Sequence, residues 1–230
     1  MIPAYTLNAI RYALVEAFKA RYTSISSSPV RMVGILFAPA GSSVTKAEIL
    51  TRMDDFHHRS GNNIDFFCAG YGAYWPLGWV PDETVVATTS DNYGYKTEWK
   101  YSSKYFNDLL EEVKREAKKW HYSGEVDLLL LNAYYESEDA VCLDFSSSVV
   151  LKISRLKTDK AIETVPELFE RIFLYAEASQ EPTSTEKFSD KSGLKIGRTW
   201  LVDLATKYLP GNAGDLWKKG RHYAVLDLTE

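Results

Sequence analysis

Two hydrophobic periods run along this chain, and the places where one gives way to the other mark its elements. Thr6 offers a capping hydroxyl, and Leu7, Ile10, Leu14 and Phe18 then recur at helical spacing on one face. The stretch 22–29, with SISSSP, reads as a linking turn. VRMVGILFAP (30–39) is almost wholly apolar and ends in proline, the pattern of a strand buried on both sides. A helix follows. Thr45 and Glu48 have capping-box spacing, Ile49, Met53 and Phe56 form its apolar stripe, Leu50 widens that stripe, and Gly61 closes it. NIDFFCAGY is the next strand, so 30–71 reads as a βαβ unit with parallel pairing.

Residues 72–101 interrupt this rhythm. Gly72, Pro76, Gly78 and Pro81 mark turns, and ETVVATT (83–89) and YKTEWKY (95–101) form a hairpin across SDNYG. Ser102 or Ser103 caps a helix over 103–121, with Phe106, Leu109, Leu110, Val113, Ala117 and Trp120 on one face. VDLLLLNAYY (126–135) is a buried strand. VCLDF (141–145) and VVLKI (149–153) read as a hairpin joined by SSS. Thr164, Pro166 and Glu167 open a further helix. The polar stretch 179–193 reads as a linker or surface loop. TWLVDLATKYL then forms a short helix and YAVLDL (223–228) a last strand.

This order describes a soluble α/β fold: a central mixed sheet flanked by helices. We divide it into a core of residues 1–178 with an aromatic insertion at 72–101, a linker at 179–193 and a C-terminal helix-strand subregion at 194–230. The element order from residue 30 resembles the thioredoxin-like layout, without a CxxC motif. The strand before the helix leads into PAGSS instead, so thiol chemistry is not implied.

Composition adds constraints. A chain of 230 residues with 45% hydrophobic residues can bury a core without metal or disulfide staples. The net charge of −4 gives no overall field for nucleic acid. Residues 187–222 differ, with eight Lys or Arg against three Asp or Glu. Cys68 and Cys142 lie in apolar, strand-like stretches and read as two buried thiols of a reducing compartment. The chain shows no signal-peptide pattern and no long apolar span, which makes the cytoplasm the expected location and leaves the membrane out as a partner.

Two surfaces carry candidate function. The aromatic-rich insertion holds Tyr74, Trp75, Trp79 and Trp99, residue types that anchor partners when a rigid loop exposes them. Together with the basic C-terminal segment they suggest a non-catalytic interaction protein, or a subunit of a larger assembly, that meets another protein or a second copy. No cofactor is called for in this reading.

The alternative rests on Pro81–Asp82 and Glu98–Trp99–Lys100. Read from the helix at 44–59, the order αβββαβ resembles the core of the PD-(D/E)xK nucleases. That resemblance implies a metal-dependent phosphodiesterase in which Asp82 and Glu98 hold Mg²⁺ and Lys100 positions the attacking water. Strand alternation places Lys96, Glu98 and Lys100 on one face and Tyr95, Thr97, Trp99 and Tyr101 on the other. Nucleic acid stays open as a partner on this reading only. Asp54 and His58, four apart on a helix, and the PAGSS turn are weaker candidates for a metal or a phosphate.

Overall fold

The computed structural model describes residues 1–21, 30–61, 64–73, 80, 82–90, 94–178 and 225–228. Nine strands and five α-helices fall within them: β1 (Ile2–Ala4), α1 (Leu7–Arg21), β2 (Val30–Phe37), α2 (Met53–Arg59), β3 (Ile64–Ala69), β4 (Tyr71–Gly72), β5 (Thr84–Ser90), β6 (Lys96–Tyr101), α3 (Ser103–Glu116), β7 (Asp127–Ser137), β8 (Ala140–Lys152), α4 (Ile153–Thr158), α5 (Val165–Ala178) and β9 (Val225–Asp227). Before α2 the chain passes through a π-turn, Thr45–Ile49, and a 3-10 turn, Leu50–Arg52.

The main sheet has the order β1-β3-β2-β7-β8-β9. β1, β3 and β2 are parallel, and β7, β8 and β9 each run antiparallel to their neighbour. It is a mixed sheet with helices on both faces, and nothing in its order conflicts with the thioredoxin-like layout. The continuous apolar run in β2 follows from this, because each face has its own cover. Val33, Ile35 and Phe37 join a core with α1 and α3. Met32 and Leu36 join another with α2 and α5. Phe66 of β3 packs on α5, with ring centroids 5.0 Å from Phe169 and 5.4 Å from Phe173. Among the described residues no helix is long and apolar enough to cross a membrane.

The αβββαβ core is not formed as one sheet. β5 and β6 leave the main sheet and pair with β4 in a separate antiparallel sheet of order β4-β6-β5. Gly70 makes the turn between the two sheets. Its φ is +75°, and a Cβ there would sit 2.7 Å from the Ser102 carbonyl and 2.7 Å from Phe106 Cβ. Its backbone joins three elements, donating to Ala4 O at 2.8 Å and accepting from Ser102 N at 2.9 Å.

Several local expectations shift. The stretches 141–145 and 149–153 do not make a hairpin. Both lie on the single strand β8, because both pair with β7. The serines between them form an irregularity that satisfies itself: Ser146 bonds Asp144 Oδ1 through N and Oγ, and Ser148 Oγ donates to the Phe145 carbonyl at 2.8 Å. The helix expected over 103–121 ends at Glu116, yet Ala117 and Trp120 still reach the same core.

The capping box at Thr45 is also not formed. Thr45 is buried inside the helical run, and Glu48 caps a different helix. Its Oε2 accepts from Val165 N, the first residue of α5, at 2.6 Å, and its Oε1 meets Lys157 Nζ at 2.7 Å. The two thiols part as well. Cys68 is buried but Cys142 is exposed, because α1 covers the face bearing Val141 and Leu143 and Cys142 points the other way.

The linker at 179–193 and the helix expected after it lie outside the described residues. The last strand, β9, extends the main sheet along β8, with Val149 opposite Asp227 and Leu151 opposite Val225.

Candidate functional site

The insertion is a three-stranded sheet held against the core by its inner face. Alternation along β6 points Trp99 inward, 1% exposed, and leaves Lys96 and Glu98 in solvent. The Trp99 indole donates to Thr89 Oγ1 on β5 at 3.1 Å, and its ring meets His57 of α2 edge-on at 5.7 Å. Burial lowers the His57 pKa, although its Nδ1 lies 2.7 Å from the Met1 carbonyl. Tyr71 on β4 is buried and donates its hydroxyl to Ala38 O at 2.7 Å, while its ring packs 5.0 Å from Tyr101. Trp99 therefore belongs to the interior under the hairpin and not to a partner-binding surface. It is among the largest side chains of the fold, and its own sheet and α2 bury it. Tyr74, Trp75 and Trp79 lie outside the described residues, as does the basic segment 187–222.

Asp82 sits at the start of α3. Oδ1 accepts from Ser102 Oγ at 2.6 Å, and Oδ2 accepts from Ser103 Oγ at 2.7 Å and Lys104 N at 2.9 Å. The Ser102 hydroxyl is the N-cap itself, accepting from Tyr105 N at 3.1 Å. These donors favour the ionised carboxyl, with Ser102 contributing most, and take its pKa down to about 2.

Lys100 turns to Glu83, at 2.9 Å, with both side chains largely covered. Glu98 lies on the outward face of β6, opposite Thr88. It stands four strand positions before Ser102, about 13 Å of backbone at roughly 3.3 Å per residue. The three residues of the nuclease pattern thus sit in one insertion, with Asp82 and Lys100 engaged by different partners. The Asp82 oxygens are taken up by a helix start, and the lysine by Glu83. Among the described residues no group of three or more His, Cys, Asp or Glu could hold a metal ion. Among the described residues, Asp82, Glu98 and Lys100 are not gathered into one Mg²⁺ site.

The lesser candidates are similarly placed. His58 Nε2 lies 3.6 Å from Asp54 Oδ2 on the exposed side of α2. The PAGSS turn runs into the π-turn with Ser42 N bonded to Pro39 O, and Lys46 N to Ser42 O, each at 3.0 Å.

A groove that the hydrophobic pattern does not reveal, of about 460 Å³, lies between the insertion and the π-turn, with Val86, Ala87 and Thr88 of β5 on one side and Lys46, Leu50 and Thr51 on the other. Lys46 and Leu50 have i, i+4 spacing, so a signal existed, but nothing in the chain order says that β5 faces it. A second cleft, of about 410 Å³, is lined by Ser123, Glu125, Lys152, Arg155 and Thr158. Three of its polar groups are used internally: Arg155 bonds Asp159, Ser123 bonds Asp127 and Thr158 bonds the Ser154 carbonyl.

No protein-family model, curated protein or solved structure matches this chain.

Proposed function

We propose that this chain is a non-catalytic binding module that meets another protein through the insertion spanning residues 72–101. One observation carries the reading. The insertion forms its own small sheet, fastened to the core on one face, while its other face and its outer strand are turned to solvent. Val85, opposite Lys100 on β6, is 54% exposed there. A strand pair that served only to cover the core would gain nothing from apolar groups on its far side. The basic segment 187–222 supplies a second contact in this reading, and the two free cysteines suit the reducing cytoplasm.

The test is a pull-down with the full chain as bait, with partners identified by mass spectrometry and mass followed by light scattering. Trp75→Ala and Trp79→Ala should each weaken capture of a reproducible partner while leaving the folded signal intact. A monomer whose captured proteins ignore both substitutions would sink the reading. Incubation with DNA and RNA in Mg²⁺ should show no cleavage beyond that of a Glu98→Ala control.

A further inference from the structure

The outer strand of the insertion, β5, has β6 on one side, and among the described residues no strand pairs with its other side. Alternate residues of an edge strand turn their N–H and C=O groups away from the sheet, so this side is a row of donors and acceptors spaced for an extended chain. Natural edges are guarded by lysines, prolines or short length. This one is seven residues long, TVVATTS, and carries none of these side chains. Among the described residues its guards are an irregularity between Val85 and Ala87 and the helical run packed beside it.

The groove lies along this strand. One wall is Val86–Thr88, and the other is the helical run carrying Lys46, Leu50 and Thr51. That second wall contains the π-turn Thr45–Ile49, a feature that recurs at functional sites. Among the described residues the lining is apolar apart from two threonines and one charge, that of Lys46. Lys46 is exposed, and among the described residues no salt bridge engages it.

We propose that this groove takes an extended acidic peptide segment of another protein, which adds as a fourth strand to β5. The backbone edge supplies the main-chain bonds. Val86, Ala87 and Leu50 take the small apolar side chains that alternate inward, and Lys46 meets a carboxylate. A second copy of this chain fits less well. Pairing β5 with β5 would bring a second helical wall, with its own Lys46, against the first, and like charges would face each other. The inference rests on the interaction reading and specifies its site and the chemistry of its partner.

The probe is a fluorescein-labelled octapeptide of alternating valine and glutamate, titrated into the full chain by anisotropy. Two controls accompany it: the same peptide with lysine for glutamate, and the acidic peptide N-methylated at alternate amides. The acidic peptide should bind, and the N-methylated one should lose at least about tenfold in affinity, since it cannot pair with a strand. Lys46→Glu should weaken the acidic peptide about tenfold and favour the lysine peptide. Thr88→Pro, checked for folding by circular dichroism, should weaken both.

Equal binding of all three peptides, no binding at millimolar concentration, or dimerisation abolished by Thr88→Pro would overturn the proposal. A captured partner that ignores Lys46→Glu but is lost with Trp75→Ala overturns this site and leaves the interaction reading standing. A partner that ignores both removes the two together.

Discussion

Asp82 and Ser102 are joined by a hydrogen bond of 2.6 Å that ties the end of the aromatic insertion to the first turn of α3. The carboxylate also takes Lys104 N at 2.9 Å, so it satisfies a backbone donor that the helix leaves unpaired. Asp82→Ala should destabilise the protein by about 1 kcal/mol in urea unfolding at neutral pH, the ordinary cost of a lost cap. The folded-state pKa is depressed to about 2. The contribution is therefore fully present above the ordinary aspartate range and is lost as pH falls through the folded value. The gap between wild type and Asp82→Ala should stay constant from pH 7 to about 5 and close towards pH 2. A gap that widens on acidification would contradict this role.

Gly70→Ala should be far more costly. The residue sits at φ +75°, and an added Cβ would meet the Ser102 carbonyl and Phe106 Cβ at 2.7 Å each. Left-handed strain and overpacking together should cost about 2–5 kcal/mol. The midpoint of denaturant unfolding checks it, and a change under about 0.5 kcal/mol would show that the junction relaxes.

Arg31 and Asp65 form a buried ion pair at 2.6 Å, on neighbouring parallel strands, at 1% and 2% exposure. Removing one partner strands the other charge, so Asp65→Ala should cost about 3–5 kcal/mol. The double replacement Arg31→Met with Asp65→Leu should recover most of that loss. A double mutant as unstable as the single one would mean that the pair contributes net stability of its own.

The two cysteines should separate in a thiol titration. Cys142 is exposed and Cys68 buried, and burial pushes both thiols up from their usual pKa. The native protein should therefore release one equivalent with an aromatic disulfide reagent, faster as pH rises, and the second only in denaturant. Two equivalents from the native state would show that β3 opens.

The candidate site was only partly legible in the chain. Alternation in YKTEWKY assigned Glu98 outward and Trp99 to the other face correctly, because a strand's two faces are fixed by its pleat. The same alternation could not say what lay beneath Trp99, since α2 covers it from more than thirty positions away in sequence. Asp82 reads as a metal ligand only through the resemblance to the nuclease pattern. Only its contact with Ser102, twenty positions on, turns it into a cap.

The sequence by itself determined the elements that depend on neighbours a few residues apart. Thr6 caps α1 through Ala9 N, Ser102 caps α3, and Thr164 bonds Glu167 N at the head of α5, as local patterns require. It also determined that β2 and β3 are covered on both faces, because their apolar runs leave no solvent side. Tertiary structure alone decided which carboxylates cap which helices, with Glu48 reaching α5 across 117 positions and Glu112 reaching Leu7 N across 105. It decided too that β5 and β6 leave the main sheet. Gly70 marks that junction between β3 and β4, where the close approach of Ser102 and Phe106 admits no side chain, and a local pattern cannot encode contacts made by chain that has yet to return.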